Sequence, residues 1–151
     1  MNREQVKEML KLVHESANVY VASVDHEGYP NIKCIFHRDH DGLSTFYLSS
    51  NLSSLRVKQF TDDPKSCLYF CKEEKIQALM LKGVMEVCTD LENRERIWKD
   101  TDVMYYPEGV NDPDYCVLRF RATEGKYWNY GERIDSFSVE EAERLLSELN
   151  F

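Results

Sequence analysis

Hydrophobic residues along the chain follow two different periods. Val6, Met9, Leu10 and Val13 recur at helical spacing, so residues 1–17 are expected to hold an amphipathic helix. The period then changes to that of strands. The segment NVYVASVDHEGYPNIKCIFHRDHDGLSTFYLSS, residues 18–50, reads as three β-rich runs separated by the turn signals DHEGYP and RDHDG. Two consecutive hairpin turns predict an antiparallel meander. A short helix to about Thr61 follows, stopped by Pro64. The segment SCLYFCKEEKIQALMLKGVMEVC predicts two further strands around the polar turn KEEK, with Gly83 marking a bulge or sharp bend in the second. A capping-box pattern from Thr89 to Glu92 opens another helix, and the irregular stretch DVMYYPEGVNDPD comes after it. YCVLRFRA and GKYWNY read as a last hairpin around TEG. Residues 138–150 close the chain with a second capping box, Ser138 to Glu141, and an apolar face of Ala142, Leu145, Leu146 and Leu149. Six or seven antiparallel strands with intervening helices predict a single, mainly β domain over residues 1–151, a small barrel or roll.

Composition narrows the partners. The chain has 151 residues, of which 42% are hydrophobic and 30% charged, ordinary values for a globular domain. Lys and Arg number 19 against 27 Asp and Glu, a formal net charge of −8. Nucleic acid and anionic membranes reward basic surfaces, so neither is expected as the main partner. The N-terminal stretch MNREQVKEMLKLVHE carries charge throughout and reads as no signal peptide, and no apolar run approaches the roughly 18 residues of a membrane span. Cys34, Cys67, Cys71, Cys88 and Cys116 are odd in number, lack CxxC spacing and sit among apolar neighbours. They read as unpaired thiols of a reducing cytoplasm, with no zinc site.

The usual catalytic signatures are missing: there is no GxSxG, HExxH or GxxxxGK[ST]. His37 and His40 share HRDHD, which reads as polar turn sequence, and no metal is expected there. No side chain identifies itself as a general acid or base. The segment SSNLSSLRVKQF, residues 49–60, is different. Ser53 or Ser54 serves as a helix N-cap, which accounts for one serine and leaves the others without a role. A helix N-terminus with Ser50 and Ser54 hydroxyls and the Arg56 guanidinium also suits a phosphate. Lys33 stands in an otherwise apolar strand and needs an anionic partner of its own. Both readings, cap and monophosphate pocket, are open at the level of residue chemistry.

VASVDHEGYPNIKCIF, TFYLSSNLSSLRVKQF and KIQALMLKGVMEV, in this order and spacing, resemble the FMN-binding split-barrel family. This is the pyridoxamine 5'-phosphate oxidase-like superfamily, and the likeness is closest to its short bacterial members related to general stress protein 26. The likeness covers about residues 6–130, and GVNDPDYCVLRF resembles the later strand of those short members. The resemblance implies a six-stranded antiparallel Greek-key barrel that works as a homodimer, with FMN in the groove between subunits. Carried onto this chain, it implies that Lys33, Cys34, Ile35 and Phe36 line the flavin and that Ser49 and Ser50 end the third strand. Ser54 and Arg56 match the Ser and Lys of the family's S-x-K phosphate turn, and Gln77 matches its glutamine facing the isoalloxazine, one residue further from Gly83 than usual. Tyr47 and Trp128 are aromatic candidates for packing on the ring, and Trp128 reads equally as a core aromatic. True oxidases end in an Arg-rich substrate segment; SFSVEEAERLLSELNF is acidic, so pyridoxamine phosphate is not the expected substrate. The implied function is an FMN-dependent oxidoreductase whose substrate and electron donor the sequence does not identify. Two alternatives stand beside it: a flavin-binding stress protein without turnover, serving as carrier or sensor, and a split barrel holding haem or a deazaflavin.

Overall fold

A computed structural model describes residues 1–148. Helix α1 spans Arg3–Glu15. It starts at a reciprocal cap: the Asn2 side chain accepts from the Gln5 amide at 2.9 Å, and the Gln5 side chain accepts from the Asn2 amide at 2.9 Å. Its buried face, Val6, Met9, Leu12 and Val13, joins the main core. Strands β1 (Asn18–Val24), β2 (Pro30–Asp41) and β3 (Thr45–Asn51) form the meander read from the turn signals. In the first turn the Asp25 carboxylate accepts from the Glu27 and Tyr29 amides, and Gly28 takes φ +85°, a region open to glycine. Helix α2 (Leu55–Asp62), β4 (Lys65–Lys72), β5 (Gln77–Cys88) and α3 (Leu91–Ile97) follow. β6 (Tyr115–Asn129), β7 (Glu132–Ser138) and α4 (Val139–Ser147) complete the described chain.

The strands hydrogen-bond in the order β3-β2-β1-β4-β5-β6-β7, and β3 also pairs with β6. Six antiparallel strands therefore close into a barrel, and β7 is an extra strand on the far half of β6. Phe46, Phe70, Leu79, Leu81, Phe120 and Tyr127 fill the interior. The register of β5 against β6 shifts at Lys82/Gly83, the bend expected of Gly83. A Cβ at that position would fall on the Arg121 carbonyl oxygen. A second apolar cluster of Tyr47, Cys88, Ile97, Tyr106, Tyr115 and Val117 binds residues 97–115 to the outer side of β3 and β6. No helix among the described residues is long and apolar enough to cross a membrane.

Several local expectations need correction. YCVLRFRA and GKYWNY are one continuous strand, because Gly125 serves packing instead of a turn: the Phe137 ring occupies the space a Cβ would need. The hairpin lies five residues later, where Tyr130 and Gly131 take positive φ before β7. Helix α3 is capped by Asp90, which accepts from the Asn93 amide at 3.1 Å, and not by Thr89. Ser138 does cap α4, accepting from the Glu141 amide at 3.3 Å; Leu149 and Asn150 of the expected closing helix lie outside the described residues. Cys88 and Cys116 are buried, but Cys34 is exposed and Cys67 and Cys71 are only partly covered.

His37 and His40 are not in a turn. They lie in β2, their rings packed against Phe46, and His37 also meets Phe70 edge-on with centroids 5.3 Å apart. Burial holds the His37 imidazole below its usual pKa. Its Nδ1 lies 3.1 Å from the Ser16 carbonyl, to which it donates, while Nε2 is buried without a partner. The folded state thus disfavours the protonated ring, and below about pH 6.5 the unfolded chain binds more protons than the folded one. Stability from this group is complete above that pH and is lost as the pH falls towards the lowered folded-state value. Thermal melts between pH 7.5 and 5 are expected to show a downward slope that His37→Phe flattens; equal slopes would remove His37 as its source.

Candidate functional site

The site arises from a divergence of two strands. β2 and β3 pair only from His37↔Leu48 to Asp41↔Thr45, with a register shift between His37 and Asp39. Before that shift β2 pairs only with β1, so the Pro30–Phe36 segment has a free edge. On the other side, Ser49, Ser50 and Asn51 have left β2 and pair with β6 alone. The gap is a groove whose walls are a β2 edge with unpaired backbone donors and acceptors and the serine-bearing end of β3. Helix α2 begins at its floor.

Ser54 is the N-cap of α2, its Oγ accepting from the Val57 amide at 3.3 Å. The Leu55 and Arg56 amides have no backbone acceptor among the described residues, as expected for the first turn of a helix. Arg56 Nη2 donates to Ser50 Oγ at 3.1 Å, and Ser50 Oγ lies 3.5 Å from Ser54 Oγ. Arg56 Nε is buried without a partner. Burial pushes this guanidinium below its ordinary pKa, and its neighbours are the Cys116 thiol and the Tyr106 phenol, with no carboxylate. A desolvated cation lacking a counter-ion is costly, so this arrangement is set up to receive an anion. Lys33, expected as a lone cation in an apolar strand, borders the same space from β2 and is itself exposed. Its register partner on β1 is the core residue Val21, so Lys33 shares the inward face of β2 with Ile35. It is exposed because β2 has no partner strand on its other edge there, and its side chain meets the groove beside α2.

Two adjoining cavities, about 190 and 250 Å³, meet at Lys33 and Arg56. The first contains Cys34, Ile35, Phe36, Ser49 and Ser50; the second contains Ser54 and the start of α2. Joined, they reach the ~300–1,000 Å³ of an ordinary small-molecule site. Eight of the nine residues expected at the site are thus brought together. Gln77 is not among them. It borders a separate cavity with Glu8, Lys72 and Asn129, and its Nε2 donates to the Tyr127 hydroxyl at 2.9 Å. Tyr47 and Trp128 do not line the groove either; Tyr47 is buried in the second cluster with the Arg96 guanidinium 4.0 Å above its ring. A larger cavity of about 410 Å³, lined by Ala22, Val24, Pro30, Cys67 and Val84 with Lys65, Ser66 and Lys82 beside them, holds none of the expected residues.

Sequence reasoning missed the far end of the groove. Arg38 and Asp102 form an ion pair at 2.7 Å with side chains 9% and 4% exposed, and the Arg38 guanidinium lies 5.0 Å from the Phe36 ring centre. Tyr105, 57% exposed, stands 6.4 Å from Phe36. Tyr106 turns the other way into the second cluster; its hydroxyl donates to Asn51 Oδ1 at 3.1 Å, and burial raises its pKa to about 12. The irregular stretch is therefore divided, Tyr106 and Val110 packing on their own barrel and Met104 and Tyr105 facing outward. Its short 3₁₀ turns, Asp100–Met104 and Gly109–Asn111, have no hydrophobic periodicity to reveal them.

The family model described as "Pyridoxamine 5'-phosphate oxidase like" matches residues 4–145. Among solved structures, the chain is similar to a protein from Clostridium acetobutylicum related to general stress protein 26 of B. subtilis (pyridoxinephosphate oxidase family). The two are 38% identical with a TM-score of 0.85, over 94% of this chain and 99% of that one. General Stress Protein 26 from Bacillus anthracis shares the fold at 11% identity and a TM-score of 0.71, over 88% and 97%. A heme binding protein from Mycobacterium smegmatis does so at 15% identity and 0.72, over 97% of this chain and 61% of that one. No curated protein matches significantly.

Proposed function

The chain belongs to the pyridoxamine 5'-phosphate oxidase-like family, and we propose that it binds FMN in the β2–β3 groove and acts as an FMN-dependent oxidoreductase. The observation that carries this reading is Arg56: a partly buried guanidinium, one nitrogen unpartnered, held against Ser50 at the start of α2 with no carboxylate beside it. In this reading Arg56, Lys33, Ser54 and the free Leu55 and Arg56 amides hold the phosphate. The free edge of β2 offers backbone donors and acceptors to a planar heterocycle, and Phe36 and Tyr105 bound its far end. FMN, when bound, supplies hydride or single-electron chemistry, and the chain supplies position, electrostatics and exclusion of water.

Haem is a weaker fit. None of the four histidines borders the cation-bearing groove; His37 and His40 are packed against Phe46, and His14 and His26 are exposed elsewhere. A carrier or sensor role uses the same groove and differs only in turnover.

The groove is open on one side, whereas ligand sites bury most of their ligand. Tyr20, Ile32, Phe36 and Tyr69 form an exposed apolar set on the outward face of β2, β1 and β4, with Met104 and Tyr105 beside it. We propose that a second copy of the chain covers this face in a two-fold dimer and closes the groove. Native mass spectrometry of protein loaded with FMN tests both points at once. The expected species is a dimer carrying two FMN. A monomer that retains FMN, or haem as the ligand held on purification, would contradict the reading.

A further inference from the structure

We infer that Asp114, which lies outside the groove, is a positioning residue that holds the anion-binding turn in shape; this rests on the reading of the groove as a phosphate site. Between Asn51, the last residue of β3, and Leu55, the first of α2, the turn has three residues, Leu52 to Ser54, and the Ser54 cap is its one side-chain bond to α2. Serine-rich turns are conformationally free, and a phosphate contact depends on where the Ser54, Leu55 and Arg56 groups point. Asp114 removes that freedom. Its Oδ1 accepts from the Ser53 amide at 2.8 Å; its Oδ2 accepts from the Ser53 hydroxyl at 2.9 Å and from Asn51 Nδ2 at 3.1 Å. The Asp114 carbonyl accepts from the Leu52 amide at 2.7 Å. The end of β3 and both turn residues before the cap are therefore tied to one aspartate.

That aspartate is itself anchored. Its amide donates to Asp112 Oδ1 at 3.0 Å, and Asp112, 6% exposed, accepts the Glu108 amide through its other oxygen at 3.1 Å. The other face of Asn51 accepts from the Tyr106 hydroxyl. Residues 106–114 thus brace the turn at two points. A carboxylate near a phosphate would ordinarily repel it. Here three donors from the turn face the Asp114 oxygens, and the Ser53 donors lower the carboxyl's pKa, so the carboxylate stays ionised with its charge met by the turn. The turn's own donors at Ser53 are used up by Asp114, which leaves the first amides of α2 as those free for a ligand.

Inorganic phosphate, titrated into the apoprotein and followed by amide chemical shifts, tests this without assuming a flavin. In wild type the Leu55 and Arg56 amides are expected to move and saturate. Asp114→Ala is expected to weaken phosphate about tenfold, in line with the loss of charged hydrogen bonds that hold the binding geometry. Asp114→Asn keeps an oxygen for the Ser53 amide and is expected to recover most of that loss, which a nonspecific effect on folding or charge would not do. Phosphate binding in Asp114→Ala equal to wild type would overturn the inference, as would an asparagine variant no better than alanine. If the alanine variant does not fold, Ser53→Ala decides: a weakening of about threefold supports the inference and an unchanged affinity overturns it. Wild type that takes up phosphate at these amides but not FMN would overturn the flavin reading and leave the role of Asp114 standing. Wild type that binds phosphate nowhere near them would overturn both.

Discussion

Arg56→Ala is expected to bind FMN at least about tenfold more weakly than wild type, with riboflavin affinity nearly unchanged. The guanidinium bonds the Ser50 hydroxyl beside Ser54 and has no carboxylate partner, the Asp102 carboxylate at the far end of the groove being paired with Arg38, so its interaction is with the phosphate, the part riboflavin lacks. Charge-assisted hydrogen bonds contribute about 1.5–3 kcal/mol each, which is roughly a tenfold to hundredfold change for a single contact. The apoprotein should not be destabilised. Alanine is at least as good a helix former as arginine, and the substitution removes a partly buried cation that burial already disfavours. Loss of affinity with an unchanged or raised apoprotein Tm is therefore the signature of a ligand-binding residue. Isothermal titration and thermal melts of the same preparation check both halves. A parallel loss of FMN and riboflavin affinity, or a lowered Tm, would assign Arg56 a structural role.

The largest stability effect is expected at Asp102. With side chains 9% and 4% exposed, the Arg38–Asp102 pair is the most buried ion pair among the described residues, and Asp102 also accepts from the Lys99 amide at 3.0 Å. Removing one partner strands a buried charge, which costs about 3–5 kcal/mol, whereas replacing both by apolar groups of similar shape costs far less. Asp102→Ala should lower stability by about that amount, a Tm decrease of about 6 °C or more for a domain of this size. Arg38→Met combined with Asp102→Ala should be clearly more stable than Asp102→Ala alone. Denaturant unfolding of the three proteins checks the ordering. If the double variant is no better than the single, the loss reflects the Lys99 cap and the 3₁₀ turn rather than the stranded arginine.

Much of the fold was legible because its signals are local. The α1 spacing, the DHEGYP turn, the bend at Gly83 and the Ser138 cap each depend on residues a few positions apart, and each appears in the structure. Errors arose where a local signal was overruled from a distance. TEG looks like a turn until Phe137, on another strand, occupies the space beside Gly125. HRDHD looks like polar turn sequence until Phe46 and Phe70 enclose its histidines. The same distinction governs the site. Ser54 and Arg56 stand in one short segment whose hydroxyl and cation content announces an anion, and Lys33 was found as a lone cation among apolar neighbours. The groove between them depends on where β2 stops pairing with β3, a property of long-range register that no single segment carries. Asp102 and Asp114 lie in an aperiodic stretch and act on residues more than 50 positions away, with nothing nearby to mark them.

The central claim is that the groove at the start of α2 selects a ligand by its phosphate. Equilibrium titration of the wild-type apoprotein with FMN and with riboflavin, under identical conditions, tests it most directly. FMN is expected to bind at least about tenfold more tightly, the minimum for one charge-assisted phosphate contact; equal affinities for the two flavins would contradict the account.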